Sequence, residues 1–147
     1  MKVHTVAVIG AGTMGSGIAQ ICAQKGWQTR LYDVFPESLR KGMENIERFW
    51  DKGIKKEKTT IQEKQEWSNN IQYCTDLIEA VDGADLVIEA VPEIMELKKD
   101  IFIQLEEIAP KNAILATNTS SISISSIANF TSCPERIIGM HFFNPVP

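Results

Sequence analysis

The chain has 147 residues, which is the size of one domain and enough to bury a hydrophobic core. Hydrophobic residues make up 44% and charged residues 23%, as in an ordinary globular protein. The formal net charge of -4 argues against a nucleic-acid-binding surface, which requires a basic face.

The cysteines and the N-terminus limit the cellular setting. Cys22, Cys74 and Cys133 are widely spaced and form no CxxC pair or His/Cys cluster, so we expect buried reduced thiols, with neither disulfides nor a metal site. The N-terminus leads directly into a strand pattern without a signal or transit peptide. No apolar run approaches the ~20 residues that span a bilayer. We therefore expect a cytoplasmic protein with no membrane partner.

The first thirty or so residues predict a βαβ unit. A continuous apolar run at residues 6–9 is typical of a strand buried on both faces. Apolar residues then recur at helical spacing from Met14 until Gly26, a natural stop for a helix. Residues 29–32 predict the second strand.

The next segment predicts two antiparallel helices, inserted at about residues 37–68. Its pattern is helical and strongly charged. We expect the first helix to break at Lys52-Gly53 and the second to start at Thr60, which forms a capping box with Glu63.

The alternation of strands and helices then resumes. Strands are predicted at residues 71–73, 85–89, 113–116 and 136–140, and helices at 76–81, 94–108 and 123–130. The expected buried face of the long helix consists of Ile94, Leu97, Ile101, Leu105 and Ile108. Together these elements predict an α/β fold with a doubly wound parallel sheet, forming one domain over residues 1–147.

The sequence Gly10-Ala11-Gly12-Thr13-Met14-Gly15 is the strongest local motif, because it follows a strand and opens a helix. Gly10 permits a tight turn, Gly12 lets the backbone approach a pyrophosphate, and Gly15 lets helix and strand pack closely. The helix N-terminus presents N–H groups and a positive dipole end to phosphates. The motif therefore predicts a dinucleotide site.

Asp33 closes the second strand, 18 positions after Gly15, near the spacing of a ribose-binding acid. Its carboxylate can accept hydrogen bonds from ribose hydroxyls and repel a 2′-phosphate, which favours NAD over NADP. The alternative is an exposed turn aspartate.

Three predicted strand ends carry polar residues, at 89–93, 118–121 and 141–145. Residues 118–121 are also compatible with turn and helix-cap chemistry, and His141 with a core histidine. An imidazole is nevertheless suited to acid–base chemistry near neutral pH, whereas His4 lies at the opposite end of its strand. Ser120 lacks the G-x-S-x-G elbow, which argues against acyl transfer.

Four segments in order, VAVIGAGTMGSGIAQ, ADLVIEAVPE, ILATNTSSISI and RIIGMHFFNPVP, resemble the 3-hydroxyacyl-CoA dehydrogenase family, particularly bacterial 3-hydroxybutyryl-CoA dehydrogenases. The resemblance spans nearly the whole chain. It implies an NAD-binding Rossmann domain whose partner substrate is an acyl-CoA. The reaction it implies is reversible oxidation of an L-3-hydroxyacyl-CoA, with 3-hydroxybutyryl-CoA the expected substrate, within fatty-acid β-oxidation.

The resemblance also assigns residues to the site. Those implied to bind NAD are Gly10, Gly12, Thr13, Met14, Gly15, Asp33, Ala90, Glu93, Lys98, Asn118 and Asn144. His141 is implied to be the catalytic base, and Ser120 to hydrogen-bond the substrate oxygen. Asn144 is also expected near the substrate. Lys52, Lys55 and Lys56 are candidates for the CoA phosphates, although a solvated charge run is the favoured interpretation.

Family members continue beyond the HFFNPVP segment with further strands, a glutamate that orients the histidine, and a helical domain through which they form homodimers. Without these parts we expect the sheet to be incomplete at its C-terminal edge. The 147-residue chain alone should then bind NAD weakly, self-associate through that edge and turn over little substrate.

Two other functions remain open from the sequence. One is an inactive NAD-binding module, which would share the glycine motif but have no need of both Ser120 and His141. The other is a related dehydrogenase acting on 3-hydroxyadipyl-CoA, carnitine or gulonate.

Overall fold

The structure, a computed structural model, describes residues 2–119, 122–142 and 146. Short aliphatic runs form six strands, most of them nearly inaccessible to solvent. They are β1 (Thr5–Ile9), β2 (Gln28–Tyr32), β3 (Ile71–Cys74), β4 (Leu86–Glu89), β5 (Ile114–Thr117) and β6 (Ile137–Gly139). Their positions agree with the predicted strands to within a residue or two at most ends.

The strands form one parallel sheet in the order β3-β2-β1-β4-β5-β6. The chain builds outward from β1 to β3, then returns to the other side of β1 and adds the remaining strands. This reversal opens a crevice at the carboxyl ends of β1 and β4, where open α/β sheets bind ligands. The predicted doubly wound parallel sheet is confirmed.

In the part of the chain that the structure describes, six helices cover the sheet, and a 3-10 turn lies at Pro134–Arg136. They are α1 (Thr13–Gln24), α2 (Pro36–Lys55), α3 (Ile61–Asn69), α4 (Leu77–Val81), α5 (Met95–Ile108) and α6 (Ile124–Ala128). Each face of the sheet has its own core. One core includes Val6, Val8, Ile18, Ile46 and Trp50. The other includes Ala7, Ile9, Val87, Phe102 and Leu105.

The inserted helical hairpin is confirmed. Thr60 caps α3 with the predicted box, in which its Oγ1 accepts from the Glu63 N–H at 3.0 Å and its own N–H donates to Glu63 at 2.9 Å. Near the start of α3, the Lys64 ammonium lies 2.6 Å from the Asp51 carboxylate on α2. The two helices therefore lie against each other on one side of the sheet.

The predicted break at Lys52-Gly53 is wrong, because α2 continues to Lys55. A glycine inside a helix costs only about 1 kcal/mol, which tertiary contacts readily offset. Gly53 admits the side chain of Thr59, since a Cβ there would lie 2.6 Å from the threonine hydroxyl. The helix ends instead near Glu57, which has a φ of 60°.

The predicted buried face of α5 is wrong in its first turn. Ile94 and Leu97 are 53% and 44% exposed, whereas the fully buried residue of that turn is Lys98. Its burial is possible because its ammonium pairs with carboxylates. Ile101 and Leu105 are buried as expected.

Within the described residues β6 pairs only with β5, and its own residue Ile138 is 41% exposed. Cys22 and Cys74 are buried free thiols, and burial raises the pKa of Cys22 to about 12. Cys133 is only half-buried, which corrects the expectation that all three are buried, because it precedes an exposed turn.

The described residues contain neither a candidate metal cluster nor a candidate membrane span. No group of three or more His, Cys, Asp or Glu side chains among them is placed to hold a metal ion. None of the helices in this part of the chain is long and apolar enough to cross a bilayer.

Trp50 should be the most costly single truncation in the hairpin. It is 1% exposed, its ring lies 5.7 Å from that of Trp67, and its Nε1 donates to Gln24 at 2.9 Å. We expect Trp50→Ala to lower the free energy of unfolding by about 3–5 kcal/mol in urea denaturation. The control Phe49→Ala, at a side chain that is 47% exposed, should cost less than about 1 kcal/mol. Equal losses in the two variants would contradict this account.

Candidate functional site

A cleft of about 940 Å³ opens at the carboxyl ends of β1 and β4. The glycine turn after β1 forms one wall, and the segment after β4 forms the opposite one. The turn after β2 lines the cleft on one side of these strands and the segments after β5 and β6 on the other, and the first half of α5 completes the lining. Its volume falls in the upper part of the range typical of cofactor sites.

Gly10 brings two strand ends into direct contact. It has a φ of 110°, and a Cβ on it would lie 2.7 Å from the carbonyl oxygen of Ala90. Its N–H donates to the Tyr32 carbonyl at 2.8 Å, which joins the turn to the end of β2. Any side chain here would therefore meet both backbone strain and a clash with backbone.

The other two glycines of the motif have different roles. Gly12 precedes α1 and lines the cleft, and a Cβ there would meet nothing within 4 Å. The open space is therefore the cleft itself, as expected if a ligand approaches the backbone. Gly15 is buried, and a Cβ on it would overlap the Gly10 carbonyl. Gly15 therefore packs against the backbone of the glycine turn itself. The close contact that was predicted between helix and strand is made at this turn.

The N-terminus of α1 is suited to an anion. Its first turn contains no acidic residue and no side chain caps it, while Thr13 and Met14 line the cleft. Within the described residues, the cleft lining includes Asp33, Glu93 and Asp100 but no lysine or arginine. A phosphate group in this cleft must therefore rely on backbone N–H groups and the helix dipole.

Asp33 is fixed by two backbone hydrogen bonds. Its Oδ2 accepts from the Ala11 N–H at 3.0 Å, and its Oδ1 accepts from the Phe35 N–H at 2.9 Å. The half-buried carboxylate lines the cleft and ties the glycine turn to the end of β2. Each oxygen retains a second acceptor position, so the carboxylate can still accept hydrogen bonds from a diol. The Phe35 contact is an ordinary Asx turn, whereas the Ala11 contact ties Asp33 to the glycine turn and distinguishes it from an isolated turn aspartate.

A buried ion pair lies behind the cleft wall. Glu89, the last residue of β4, and Lys98 on α5 both have fully inaccessible side chains, and their charged atoms are 2.6 Å apart. The Glu89 carboxylate also accepts from the Thr117 hydroxyl at 2.6 Å and the Val91 N–H at 2.7 Å. Burial raises the pKa of Glu89 above its ordinary value, while the Lys98, Thr117 and Val91 hydrogen bonds oppose that rise.

Lys98 connects this pair to the cleft. Its ammonium lies 3.3 Å from the Glu93 carboxylate, which lines the cleft, and 3.2 Å from the Val91 carbonyl. Glu93 also accepts a hydrogen bond from the Thr119 hydroxyl at 2.8 Å. The structure therefore places Lys98 beneath the cleft wall rather than on it.

Asn118 joins the ends of β4, β5 and β6. Its N–H donates to the Glu89 carbonyl at 2.9 Å, and its Oδ1 accepts from the Phe142 N–H at 3.0 Å. His141, next to Phe142, is exposed and lines the cleft, which argues against the core-histidine interpretation. The cap of α6 is Ser123, whose hydroxyl accepts from the Ser126 N–H, while the Thr119 hydroxyl accepts from the Ile122 N–H at 3.1 Å, a contact typical of turn chemistry.

Three of the predicted residues, all lysines, do not lie at the cleft. Lys52, Lys55 and Lys56 are exposed at the end of α2 and are absent from the cleft lining, as a solvated charge run would be. Ser120 and Asn144 lie outside the described residues.

Sequence reasoning overlooked several residues of the site. Leu97 lines the cleft although its helical spacing suggested the core, and an exposed apolar residue is what a ligand-binding wall requires. No sequence pattern marked Thr117 as a residue of the site. Glu89 was included in the predicted polar strand end at 89–93, but its pairing with Lys98 was not predicted.

The comparisons with known proteins agree with this geometry. The family model described as 3-hydroxyacyl-CoA dehydrogenase, NAD binding domain, matches residues 5–147. A 3-hydroxyadipyl-CoA dehydrogenase of Escherichia coli K12 is 45% identical over 147 residues, covering 100% of this chain and 31% of that protein. A probable 3-hydroxybutyryl-CoA dehydrogenase of Bacillus subtilis 168 is 44% identical, covering 100% of this chain and 51% of that protein.

A solved structure shares the fold closely. The (S)-3-hydroxybutyryl-CoA dehydrogenase PaaH1 of Ralstonia eutropha superposes with a TM-score of 0.95 at 43% identity, covering 99% of this chain and 51% of that one. This chain thus spans between about a third and about half the length of these relatives. The glycine turn, Asp33 and the doubly wound sheet are the features expected of NAD binding. The chain belongs to the 3-hydroxyacyl-CoA dehydrogenase family and corresponds to its NAD-binding domain.

Proposed function

We propose that residues 1–147 are the NAD-binding domain of an enzyme that reversibly oxidises an L-3-hydroxyacyl-CoA to the 3-oxoacyl-CoA, with 3-hydroxybutyryl-CoA as substrate. The observation that carries the proposal is the position of His141. It lines the same cleft as the glycine turn and Asp33, and it follows β6, which lies on the other side of β1 from the β2 strand that Asp33 follows. A histidine on that side of a dinucleotide cleft lies where a reacting hydroxyl must meet the nicotinamide. The bacterial and animal relatives named for this activity support the choice of substrate class.

The cofactor contacts follow from the cleft. The backbone around Gly10, Gly12, Thr13, Met14 and Gly15 binds the pyrophosphate, and Asp33 accepts hydrogen bonds from the adenosine ribose. Ala90, Glu93, Asn118 and Asn144 contact the nicotinamide half, with Lys98 behind them. The absence of a lysine or arginine from the described lining, together with the Asp33 carboxylate, disfavours the extra phosphate of NADP.

The protein's own chemistry is proton transfer. His141 accepts the proton of the substrate 3-hydroxyl while the hydride leaves C3, and Ser120 donates a hydrogen bond to the same oxygen. NAD, when bound, supplies the hydride acceptor. In the reverse direction His141 returns the proton to the oxygen of the 3-oxo group, so atoms and charge balance in both directions.

A second substrate has a specific observation in its favour. The Escherichia coli relative at 45% identity is named for 3-hydroxyadipyl-CoA. That substrate differs from 3-hydroxybutyryl-CoA at the far end of the acyl chain, away from the reacting carbon. The same cofactor domain and the same His141 chemistry therefore serve both candidates, and a rate comparison between the two substrates separates them.

The proposal also covers the pathway, the cellular location and the contacts with other molecules. We place the reaction in fatty-acid β-oxidation and the protein in the cytoplasm. The exposed edge of β6 is the proposed surface for self-association, and the lysines at the end of α2 are candidates for CoA phosphate contacts.

Gly12 offers a direct test of the cofactor cleft. We expect Gly12→Ala to keep the melting temperature of the chain, because its Cβ meets nothing within 4 Å, yet to bind NADH at least about tenfold more weakly. The methyl group would occupy the space through which the pyrophosphate reaches the backbone. Fluorescence titration with NADH and thermal unfolding measure the two effects.

The matched control for that variant is Gly26→Ala. Gly26 has a φ of 93° and lies away from the cleft, so this variant should melt earlier and bind NADH normally. Unchanged NADH affinity in Gly12→Ala would contradict the proposed pyrophosphate site.

The role of His141 can be tested in a chimera. This chain replaces the matching half of the Bacillus subtilis relative, which it covers to 51%. We expect the chimera to reduce acetoacetyl-CoA with NADH, and His141→Gln to lower kcat by about 10²–10⁴-fold while leaving NADH affinity unchanged.

His4→Gln is the control for that substitution, since the exposed His4 precedes β1 at the opposite end of the sheet. Its kcat should match that of the parent chimera. A His141→Gln chimera with the parental kcat would exclude the imidazole as the base.

A further inference from the structure

The buried network beneath the cleft wall has more charge than packing requires. Glu89 and Lys98 form a fully inaccessible pair, and Lys98 also reaches Glu93 at the cleft surface. Two carboxylates therefore share one ammonium. If all three groups are ionised, the cluster carries one excess negative charge.

The contacts of Glu89 favour its ionised form. Its carboxylate receives hydrogen bonds from three donors, the Lys98 ammonium, the Thr117 hydroxyl and the Val91 N–H, at 2.6 to 2.7 Å. A protonated carboxyl group in this position would bring its own hydrogen towards these donors. Glu93 is 36% exposed at its side chain and retains contact with water. These three donors, one of them cationic, therefore favour the carboxylate form of Glu89 over the protonated form.

The network also lies beside the cofactor's expected path. Val91 and Glu93 line the cleft, and Ala90 packs against Gly10, so the segment held by Glu89 and Lys98 is the wall facing the glycine turn. The nicotinamide ring is cationic in NAD⁺ and neutral in NADH. A charge near the ring therefore affects the two redox forms of the cofactor differently, and low surrounding polarity strengthens the effect.

We propose that Glu89 is a positioning and charge-setting residue, which holds Lys98 beneath the wall and leaves the Glu89–Lys98–Glu93 cluster net negative, so that the domain favours oxidised over reduced cofactor more than a neutral cluster would. Glu89 itself does not line the cleft and acts through Lys98 and Glu93. The inference rests on the proposed placement of the nicotinamide beside Glu93.

The test is the ratio of the dissociation constants for NAD⁺ and NADH, measured on the 147-residue chain at pH 8 by calorimetry. Glu89→Gln keeps the shape of the side chain and removes its charge, which makes the cluster neutral. We expect the NAD⁺/NADH ratio of dissociation constants to rise by about three- to tenfold. A loss of packing alone would weaken both cofactors by the same factor and leave the ratio unchanged.

Two further variants isolate charge from structure. The double variant Glu89→Gln with Lys98→Gln leaves the charge of Glu93 alone, so the cluster is again net negative and the ratio should return to the parental value. It also leaves no buried charge unpaired, which favours folding. Thr117→Val removes a hydrogen bond to Glu89 without changing charge, and its ratio should equal that of the parent.

The outcomes separate this inference from the proposed function. A parental ratio in Glu89→Gln, or a ratio that stays raised in the double variant, would overturn the role of Glu89 while leaving the dehydrogenase proposal intact. Failure of the parent chain to bind NADH at all would overturn the cofactor site, and this inference with it.

Discussion

The close approach of Gly10 to Ala90 is the constraint on which the rest of the site depends. Only a residue without a side chain can adopt a φ of 110° with the Ala90 carbonyl 2.7 Å from where a Cβ would lie. This contact fixes the distance between the two walls of the cleft. Hydrogen bonds from the Gly10 and Ala11 N–H groups to the end of β2 then place Asp33 beside the same turn. The phosphate-binding helix end and the ribose-binding acid are therefore positioned together by backbone geometry.

The opposite wall depends on buried charge instead. Glu89 and Lys98 are costly to remove from water, and such a pair is weak evidence for stability by itself. Its value here is geometric, because it joins β4, β5 and α5 at the point where each approaches the cleft. An apolar pair could fill the space, but it could not hold Glu93 at the surface. The site thus combines a rigid backbone turn with a polar network that sets the local charge.

Most of the fold could be predicted from the sequence because its signals are local. The apolar run before Gly10, the box formed by Thr60 and Glu63, and the alternation of strands and helices each specify their element within a few residues. The glycine motif and Asp33 likewise predicted a dinucleotide site. Their spacing encodes a contact between neighbouring strands.

What could not be predicted depends on side-chain contacts that the spacing of apolar residues does not encode. Helical spacing alone assigned Leu97 to the core and gave no reason to bury Lys98, since the Glu89 carboxylate that pairs with it lies on a strand nine residues earlier. Thr117, which completes that network, is 28 residues from Glu89. The continuation of α2 past Gly53 depended in the same way on a tertiary contact with Thr59.

The central claim is that backbone N–H groups at the start of α1, together with Asp33, receive the cofactor. The most direct measurement is a ¹⁵N–¹H NMR titration of the chain with NADH, which follows each amide separately. The account predicts that the largest shift changes fall at Gly12, Thr13, Met14 and Asp33. Changes concentrated at the lysines that end α2, with those four amides unmoved, would contradict it.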